Sequence, residues 1–193
     1  MKIIRKSFKI DISYHFMKKA IFLDRDGVIN KKAIEGEYIS SFNEFEFLPG
    51  VLESLKKVPQ TDYLLIIVTN QRGIARKKIS INDLELIHNK MLNEMDKYGI
   101  NIDKIYFCPH NYGECKCRKP DVGMIEMAEK DFKIDMGNSW MIGDSLSDIE
   151  LGIKKGLQTI YLGNNLETKI ISNYSFDNLF NAIDLILSLP KKY

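Results

Sequence analysis

Residues 20–27 read Ala-Ile-Phe-Leu-Asp-Arg-Asp-Gly, an apolar run that ends in two carboxylates, Asp24 and Asp26. A short apolar run closed by turn residues is typical of a buried strand, and Gly27 lets the backbone turn sharply after it. Asp24 can attack as a nucleophile, and Asp26 can move a proton. The same pattern also fits a plain strand-end turn with solvated acids, since Asp and Gly are ordinary turn residues.

Other motifs along the chain argue against a plain strand-end turn at Asp24 and Asp26. The apolar run 63–68 is followed by Thr69-Asn70-Gln71, whose hydroxyl and amides suit an oxyanion. Arg118-Lys119-Pro120 places two cations before a predicted helix, and the run 140–142 leads into Gly143-Asp144-Ser145-Leu146-Ser147-Asp148. Ligand sites of open parallel sheets form at the carboxyl ends of the strands. The motifs together therefore predict one phosphoryl-transfer site at that edge of a sheet.

The order of the predicted elements favours an α/β fold. We predict strands at 18–23, 63–68, 105–107, 140–142 and 159–162, and helices at 50–58, 80–98, 121–130, 146–154 and 176–187. Strands that alternate with helices form a mostly parallel sheet covered on both faces. The expected architecture is a doubly wound three-layer α/β/α sandwich. The segments between the motifs are too short for a large cap domain, so we expect an open-faced site.

One domain is expected over residues 18–193, a length that supports a real core. Residues 1–17 are treated as an N-terminal extension of unknown order, in which His15 is read as part of the extension and not as a ligand. That extension could be an ordered addition at a sheet edge, a disordered segment, or the product of a misplaced start codon.

All three cysteines lie in one segment, Cys108 to Cys117, together with His110. The pattern Cys-x-His-x4-Cys-x-Cys supplies three thiolates and one imidazole, a complete tetrahedral set for structural Zn²⁺. Such closed coordination leaves no position for a catalytic water. The sequence therefore predicts a zinc-stabilised loop, formed by Cys108, His110, Cys115 and Cys117, that delivers Arg118 and Lys119 to the phosphate. The alternative is three unrelated buried cysteines beside a loop histidine.

Composition narrows the class of protein. The net charge of +2 gives no electrostatic case for nucleic acid or a membrane as partner. The longest apolar stretches fall far short of the roughly 20 residues that cross a bilayer. No secretory signal is recognised, and reduced cysteines point to a cytoplasmic protein. We expect a monomer that acts on a small molecule.

The ordered set Asp24-Arg25-Asp26-Gly27, Thr69-Asn70-Gln71, Arg118-Lys119-Pro120 and Gly143 to Asp148 resembles the haloacid dehalogenase superfamily of aspartyl-phosphate phosphatases over residues 18–163. The resemblance implies that Asp24 forms a phosphoaspartate and that Asp26 protonates the leaving oxygen and later activates water. It also implies that Thr69 and Lys119 hold the phosphoryl oxygens. Asp144, Asp24 and the backbone carbonyl of Asp26 would bind Mg²⁺.

The cysteine loop that runs into Arg118-Lys119-Pro120 is similar to the branch of heptose 1,7-bisphosphate 7-phosphatases and histidinol-phosphate phosphatases. The run Thr69 to Arg76 looks more like the heptose enzymes. The predicted substrate contacts are Arg25, Asn70, Gln71, Arg72, Arg118 and Ser145. Two of them depart from the heptose pattern, because Arg72 stands where a small residue is common and Ser145 where lysine is common. Arg72 is either a cation for a second phosphate or for a different anomer, or a solvated loop arginine.

Two residues near these motifs have open roles. His88 follows a helical apolar stripe and is predicted to be a core-edge residue and not a catalyst. Asp148 could assist the metal, orient Lys119, or act as a helix N-terminal acid. The leading function is a Mg²⁺-dependent phosphatase for heptose 1,7-bisphosphate in nucleotide-activated heptose biosynthesis. The alternatives are histidinol-phosphate phosphatase, nucleic-acid 3′-phosphatase and a non-catalytic zinc-stabilised binding module.

Overall fold

The computed structural model describes residues 17–190, so all of the predicted extension 1–17 except its last residue, and His15 with it, lies outside the described residues. The strands are β1 (Lys19–Leu23), β2 (Tyr63–Asn70), β3 (Lys104–Cys108), β4 (Trp140–Gly143), β5 (Gln158–Leu162) and β6 (Tyr174–Phe176). The helices are α1 (Val51–Leu55), α2 (Ile81–Asp96), α3 (Gly123–Asp131), α4 (Leu146–Lys154), α5 (Leu166–Ile171) and α6 (Leu179–Ser188). Short 3₁₀ turns lie at Phe42–Glu44, Val58–Gln60 and Met136–Asn138.

The six strands form one sheet in the order β3-β2-β1-β4-β5-β6, and every neighbouring pair is parallel. The chain winds outward from β1 through β2 to β3, then returns to β4 on the other side of β1. Ligand sites of such sheets lie at this reversal point, outside the carboxyl ends of the strands. The structure confirms the predicted parallel α/β sandwich.

Each face of the sheet has its own hydrophobic core. Both cores arise because apolar side chains point alternately to the two faces along each strand. In β1, Ile21 and Leu23 pack on one face with α1, α2 and α6, while Ala20 and Phe22 pack on the other with α3 and α4. Side chains of a strand alternate between faces, so a run with no polar residue has to be covered on both sides. The sheet therefore lies between two helical layers, as predicted.

Several element boundaries differ from the prediction. α1 ends at Leu55 and is followed by a separate 3₁₀ turn over Val58–Gln60, because Pro59 cannot continue the helix ladder. α5 and β6 were not predicted, and the helix predicted from Phe176 starts at Leu179 because Tyr174–Phe176 pairs with β5. Trp140 at the start of β4 is 4% exposed, and its ring centroid lies 5.9 Å from that of Tyr174.

No separate folded unit is inserted between the motif-bearing elements within residues 17–190, as expected for an open-faced site. No helix in this described part of the chain combines the length and apolar character needed to cross a membrane. Two glycines allow the strand ends to approach each other. A Cβ on Gly27, which has φ of +92°, would collide with Asp144, and a Cβ on Gly143 would collide with Asp148.

Candidate active site

The ammonium of Lys119 lies at the centre of the candidate site. Its Nζ is 2.8 Å from Oδ1 of Asp24 and 2.6 Å from Oδ1 of Asp148, and it donates to the backbone oxygen of Val68 at 2.8 Å. Lys119 is 2% exposed and Asp148 is completely buried. Such a buried charge is tolerated only with close partners of opposite charge. The contacts therefore join the end of β1, the start of α4, β2 and the loop before α3.

Burial and charge shift the pKa values of this group in opposite directions. Burial alone would lower the pKa of Lys119, but Asp148 and Asp24 raise it to about 12. Burial raises the pKa of Asp24 to about 7 against the attraction of Lys119, and the nearby Asp148 and Asp144 add to the rise. The ammonium of Lys119 therefore stays charged. Ionisation of Asp24 costs free energy, and a bound metal cation would lower that cost. A carboxylate in this state suits the role of a nucleophile.

Asp144 lies beside this group and is suited to a metal ion. Carboxylate oxygens of Asp24, Asp144 and Asp148 lie within 4.8 Å of one another. Among the described residues, Oδ1 of Asp144 is buried without a hydrogen-bond partner, while Oδ2 pairs with Nζ of Lys32 at 2.6 Å. Burial raises the pKa of Asp144 to about 6 although Lys32 opposes it. Crowded, under-bonded carboxylate oxygens are the donor set that Mg²⁺ prefers, so the residues present fit the ion.

Three side chains hold the carboxylate of Asp26. Arg25 donates from Nη2 to both carboxylate oxygens at 2.9 and 3.0 Å, Asn30 donates to Oδ1 at 2.9 Å, and Gln71 donates to Oδ2 at 2.9 Å. Burial opposes ionisation, but these contacts outweigh it and hold the pKa of Asp26 below its usual value. Gln71 also donates to Oγ1 of the buried Thr69 at 2.9 Å. The acid–base candidate is thus fixed in orientation beside the end of β2.

Several predicted substrate contacts have partners within the protein, and their contact with substrate stays a prediction. Arg25 is 1% exposed and faces Asp26, and Gln71 spans Thr69 and Asp26. Asn70 accepts from the backbone N–H of Lys119 at 3.0 Å and donates to its backbone oxygen at 3.2 Å.

Ser145 caps α4, where its hydroxyl donates to Oδ2 of Asp148 at 2.6 Å. The open role of Asp148 is clarified by the same contacts, because it both caps α4 and holds Lys119. Side chains next to a motif therefore serve here to orient the motif.

The four predicted zinc ligands converge. Sγ of Cys117 lies 3.2 Å from Sγ of Cys115 and 3.4 Å from Nδ1 of His110, and Sγ of Cys108 lies 3.5 and 3.7 Å from the same two atoms. Ligands of a zinc tetrahedron with Zn–S bonds of about 2.3 Å stand roughly 3.5–3.8 Å apart. The four donors therefore fit Zn²⁺, at the end of β3 and directly before Arg118 and Lys119.

Arg72 and Arg118 share one aromatic ring. Their guanidinium carbons lie 4.8 and 4.2 Å from the ring centroid of Tyr112. Within residues 17–190, Nε of each arginine is buried without a hydrogen-bond partner. Arg118 and Arg72 together lower the pKa of Tyr112. Arg72 is thus half-buried beside Tyr112, and its role as a cation for the substrate stays a prediction.

Four residues of this site were not predicted as site residues: Asn30, Lys32, His88 and Tyr112. Asn30 lies four residues after Asp26 in a loop, and this spacing alone does not predict a contact between the two side chains. His88 was placed correctly in the core, but its contact with Arg25 spans 63 positions of sequence. These contacts arise from tertiary packing.

Comparison with known proteins gives consistent matches. A family model described as polynucleotide kinase 3 phosphatase matches residues 19–180. The chain is 46% identical over 146 residues to the D-glycero-alpha-D-manno-heptose-1,7-bisphosphate 7-phosphatase of Campylobacter jejuni, covering 76% of this chain and 83% of that protein. It is 41% identical over 150 residues to the beta-anomer enzyme of Haemophilus ducreyi, covering 74% and 81%.

Among solved structures, the fold is similar to a D,D-heptose 1,7-bisphosphate phosphatase from B. bronchiseptica that was crystallised with magnesium and phosphate. The TM-score is 0.80 at 30% identity, over 88% of this chain and 98% of that one.

The raised pKa of Asp24 predicts that Asp24→Asn stabilises the protein in magnesium-free buffer at pH 8. Because the pKa rises from 3.8 to about 7 on folding, the folded state binds more protons between these values and loses stability as the pH rises through them. The free energy of unfolding of Asp24→Asn should exceed that of the parent by more at pH 8 than at pH 5, and the difference between the two pH values should be about 1 kcal/mol or more.

Urea unfolding at both pH values measures this difference. The exposed carboxylate of Asp62 gives the matched control, Asp62→Asn. An Asp24→Asn protein that is no more stable than the parent at pH 8 would mean that the Lys119 contact outweighs the burial of Asp24.

Proposed function

The chain belongs to the haloacid dehalogenase-type phosphatases, in the branch of the heptose 1,7-bisphosphate 7-phosphatases, and we propose that it removes the 7-phosphate of a D-glycero-D-manno-heptose 1,7-bisphosphate. The observation that carries the proposal is the buried contact of Lys119 with Asp24 beside the held carboxylate of Asp26. This arrangement supports Asp24 as the nucleophile, Lys119 as the cation and Asp26 as the acid–base group.

In the first half of the reaction, a carboxylate oxygen of Asp24 attacks phosphorus. An oxygen–phosphorus bond forms, the bond to the sugar oxygen breaks, and a phosphoaspartate results. Asp26 delivers the proton that the leaving oxygen needs. Its pKa is held low in the free protein, but a phosphate dianion beside it raises that pKa by like-charge repulsion, which favours proton uptake when substrate binds. Lys119 and Thr69 are proposed to hold the transferring oxygens.

In the second half, Asp26, now a carboxylate, takes a proton from water. The water oxygen attacks phosphorus, the bond to Asp24 breaks, and inorganic phosphate leaves. The three donors on Asp26, from Arg25, Asn30 and Gln71, keep its oxygens directed the same way in both halves.

We propose Asp24, Asp144 and the backbone carbonyl of Asp26 as ligands of a catalytic Mg²⁺. When bound there, the ion would offset the negative charge that keeps an attacking carboxylate from a phosphate dianion. Oδ1 of Asp144, which is buried and has no hydrogen-bond partner among residues 17–190, supports this site. Lys32, which pairs with the other oxygen of Asp144, supplies a local positive charge.

The heptose bisphosphate is favoured over the other substrates. The curated relatives named above are heptose enzymes of both anomers, whereas no specific feature of the site favours histidinol phosphate. The matching family model carries a nucleic-acid phosphatase description, but a net charge of +2 offers little counter-charge for a phosphate backbone. The proposed place of action is the cytoplasm, since cysteine zinc ligands require reduced thiols, and the proposed state is a monomer.

The substrate proposal is tested by phosphate release with Mg²⁺ from both heptose 1,7-bisphosphate anomers, histidinol phosphate and a 3′-phosphorylated oligonucleotide. We expect kcat/KM for one heptose anomer to exceed that for the last two by about a hundredfold, which is roughly 2.7 kcal/mol of transition-state binding. Asp24→Asn should abolish turnover because it removes the nucleophile. A preference for histidinol phosphate or for the oligonucleotide would contradict the substrate, and an active Asp24→Asn protein would contradict the chemistry.

We propose that Arg72 and Arg118 meet the second phosphate of the bisphosphate. The shared contact with Tyr112 supports this, because it holds both guanidinium carbons within 4.8 Å of one ring centroid. Arg72→Ser should lower kcat/KM for the bisphosphate about ten- to a hundredfold, the usual range for a hydrogen bond to a charged group. Turnover of heptose 7-phosphate, which lacks the second phosphate, should change little. The exposed Lys130→Ser is the control, and equal losses on both substrates would contradict the proposal.

We propose that Cys108, His110, Cys115 and Cys117 bind a structural Zn²⁺. Metal analysis of the purified protein should give about one zinc per chain, a full four-ligand site. Cys115→Ser should lose the metal and lower the free energy of unfolding by roughly 3 kcal/mol or more, because the folded state loses a tightly bound ion. Lys116→Ser, at an exposed position of the same loop, should retain both. Zinc well below one per chain together with normal folding of Cys115→Ser would refute the site.

A further inference from the structure

The guanidinium of Arg25 is unusual because it is almost completely buried. Arg25 is 1% exposed and is among the largest buried side chains of residues 17–190. Two of its nitrogens, Nε and Nη2, face Asp26 at 3.3, 2.9 and 3.0 Å. The remaining nitrogen, Nη1, lies 3.1 Å from Nε2 of His88 on α2. Each nitrogen of this buried cation therefore has a partner, and one partner belongs to a distant helix.

The contact requires a neutral histidine. Arginine nitrogens only donate hydrogen bonds, so Nε2 of His88 has to accept, which puts the ring proton on Nδ1. Burial lowers the pKa of His88 to about 3, and the charge of Arg25 acts in the same direction while Asp26 opposes it. The imidazole is therefore a neutral acceptor at neutral pH. The ring of Phe107 on β3 lies edge-on to it, with centroids 6.2 Å apart.

We propose that His88 is a positioning residue for the reaction, which orients Asp26 through Arg25; this inference rests on the proposed function. Arg25 and Asp26 are sequence neighbours, and an arginine side chain has many rotamers. With no acceptor at His88, Nη1 would stay buried and unpaired, at a cost that a tilt of the guanidinium would relieve. Such a tilt would pull on Asp26, which Asn30 and Gln71 hold only by one oxygen each.

The proposal makes a prediction about leaving groups. A sugar alcohol is a poor leaving group and needs the proton of Asp26, whereas p-nitrophenolate leaves without one. A misplaced Asp26 should therefore slow cleavage of an alkyl phosphate and spare cleavage of p-nitrophenyl phosphate. General destabilisation of the fold would slow both alike.

The experiment measures single-turnover release of the leaving group, with enzyme in excess, for the heptose bisphosphate and for p-nitrophenyl phosphate. The variants are His88→Leu, which has no acceptor, His88→Asn, whose amide is too short, and His88→Gln, whose oxygen reaches the position of Nε2. Met91→Leu, a volume-conserving change one turn along α2 at another buried position, controls for repacking of the helix.

We expect His88→Leu and His88→Asn to slow release from the sugar phosphate by about tenfold or more, a partial loss of a general-acid effect of about 10²–10⁴-fold, and release of p-nitrophenol by less than about threefold. His88→Gln and Met91→Leu should remain within about threefold of the parent on both substrates. Equal losses on the two substrates, or a His88→Gln protein as slow as His88→Leu, would overturn the role.

The parent enzyme separates this proposal from the proposed function. If it cleaves other alkyl phosphates but not heptose bisphosphate, the substrate is refuted, and the His88 comparison proceeds with the alkyl phosphate that it cleaves. A crystal structure of His88→Leu or His88→Asn adds a readout that needs no turnover. The guanidinium of Arg25 should be tilted and the carboxylate of Asp26 displaced in that structure, and an Asp26 carboxylate in its parent orientation would overturn the proposal.

Discussion

The buried ammonium of Lys119 is the interaction on which the site depends. Asp24 and Asp148 approach the same point from β1 and α4, and without a cation two carboxylates buried there would repel each other and take up protons. Lys119 satisfies both and also donates to the backbone of β2. The cation arrives on the loop that follows the cysteine cluster, and the side chain of Asn70 holds that loop by its backbone. One charge therefore determines how four segments of the chain meet.

The residues at the strand ends and the residues around them have different roles in the site. The strand ends carry the proposed reacting groups, because β1 and β4 are neighbours at the point where the winding reverses. The second layer of contacts, from Arg25, Asn30 and Gln71, directs one carboxylate. Two glycines, Gly27 and Gly143, leave the space in which the carboxylates meet. The chemistry is local, but its geometry is set by side chains from several elements.

Much of this could be predicted from the sequence, for a physical reason. An apolar run that ends in a carboxylate indicates a buried strand and its exit, and parallel strands bring their exits together, so Asp24, Thr69 and Asp144 could be grouped without coordinates. The cysteine spacing likewise indicates one loop. Side-chain direction could not be predicted in this way. Asn70 and Gln71 follow a strand end but turn toward partners 49 and 45 positions away, and α5 and β6 are too short to leave a periodic pattern.

Trp140 has a practical consequence for work on this protein. The chain contains one tryptophan, and it is buried at the start of β4, at the opposite end of that strand from Gly143, against Tyr174 of the edge strand β6. Its fluorescence therefore reports on a single place, the side of the sheet formed by β4, β5 and β6. Loss of that packing changes the emission, while events at the carboxylates leave the indole in the same surroundings. The fluorescence of Trp140 is thus a probe of folding that is spatially separate from the candidate active site.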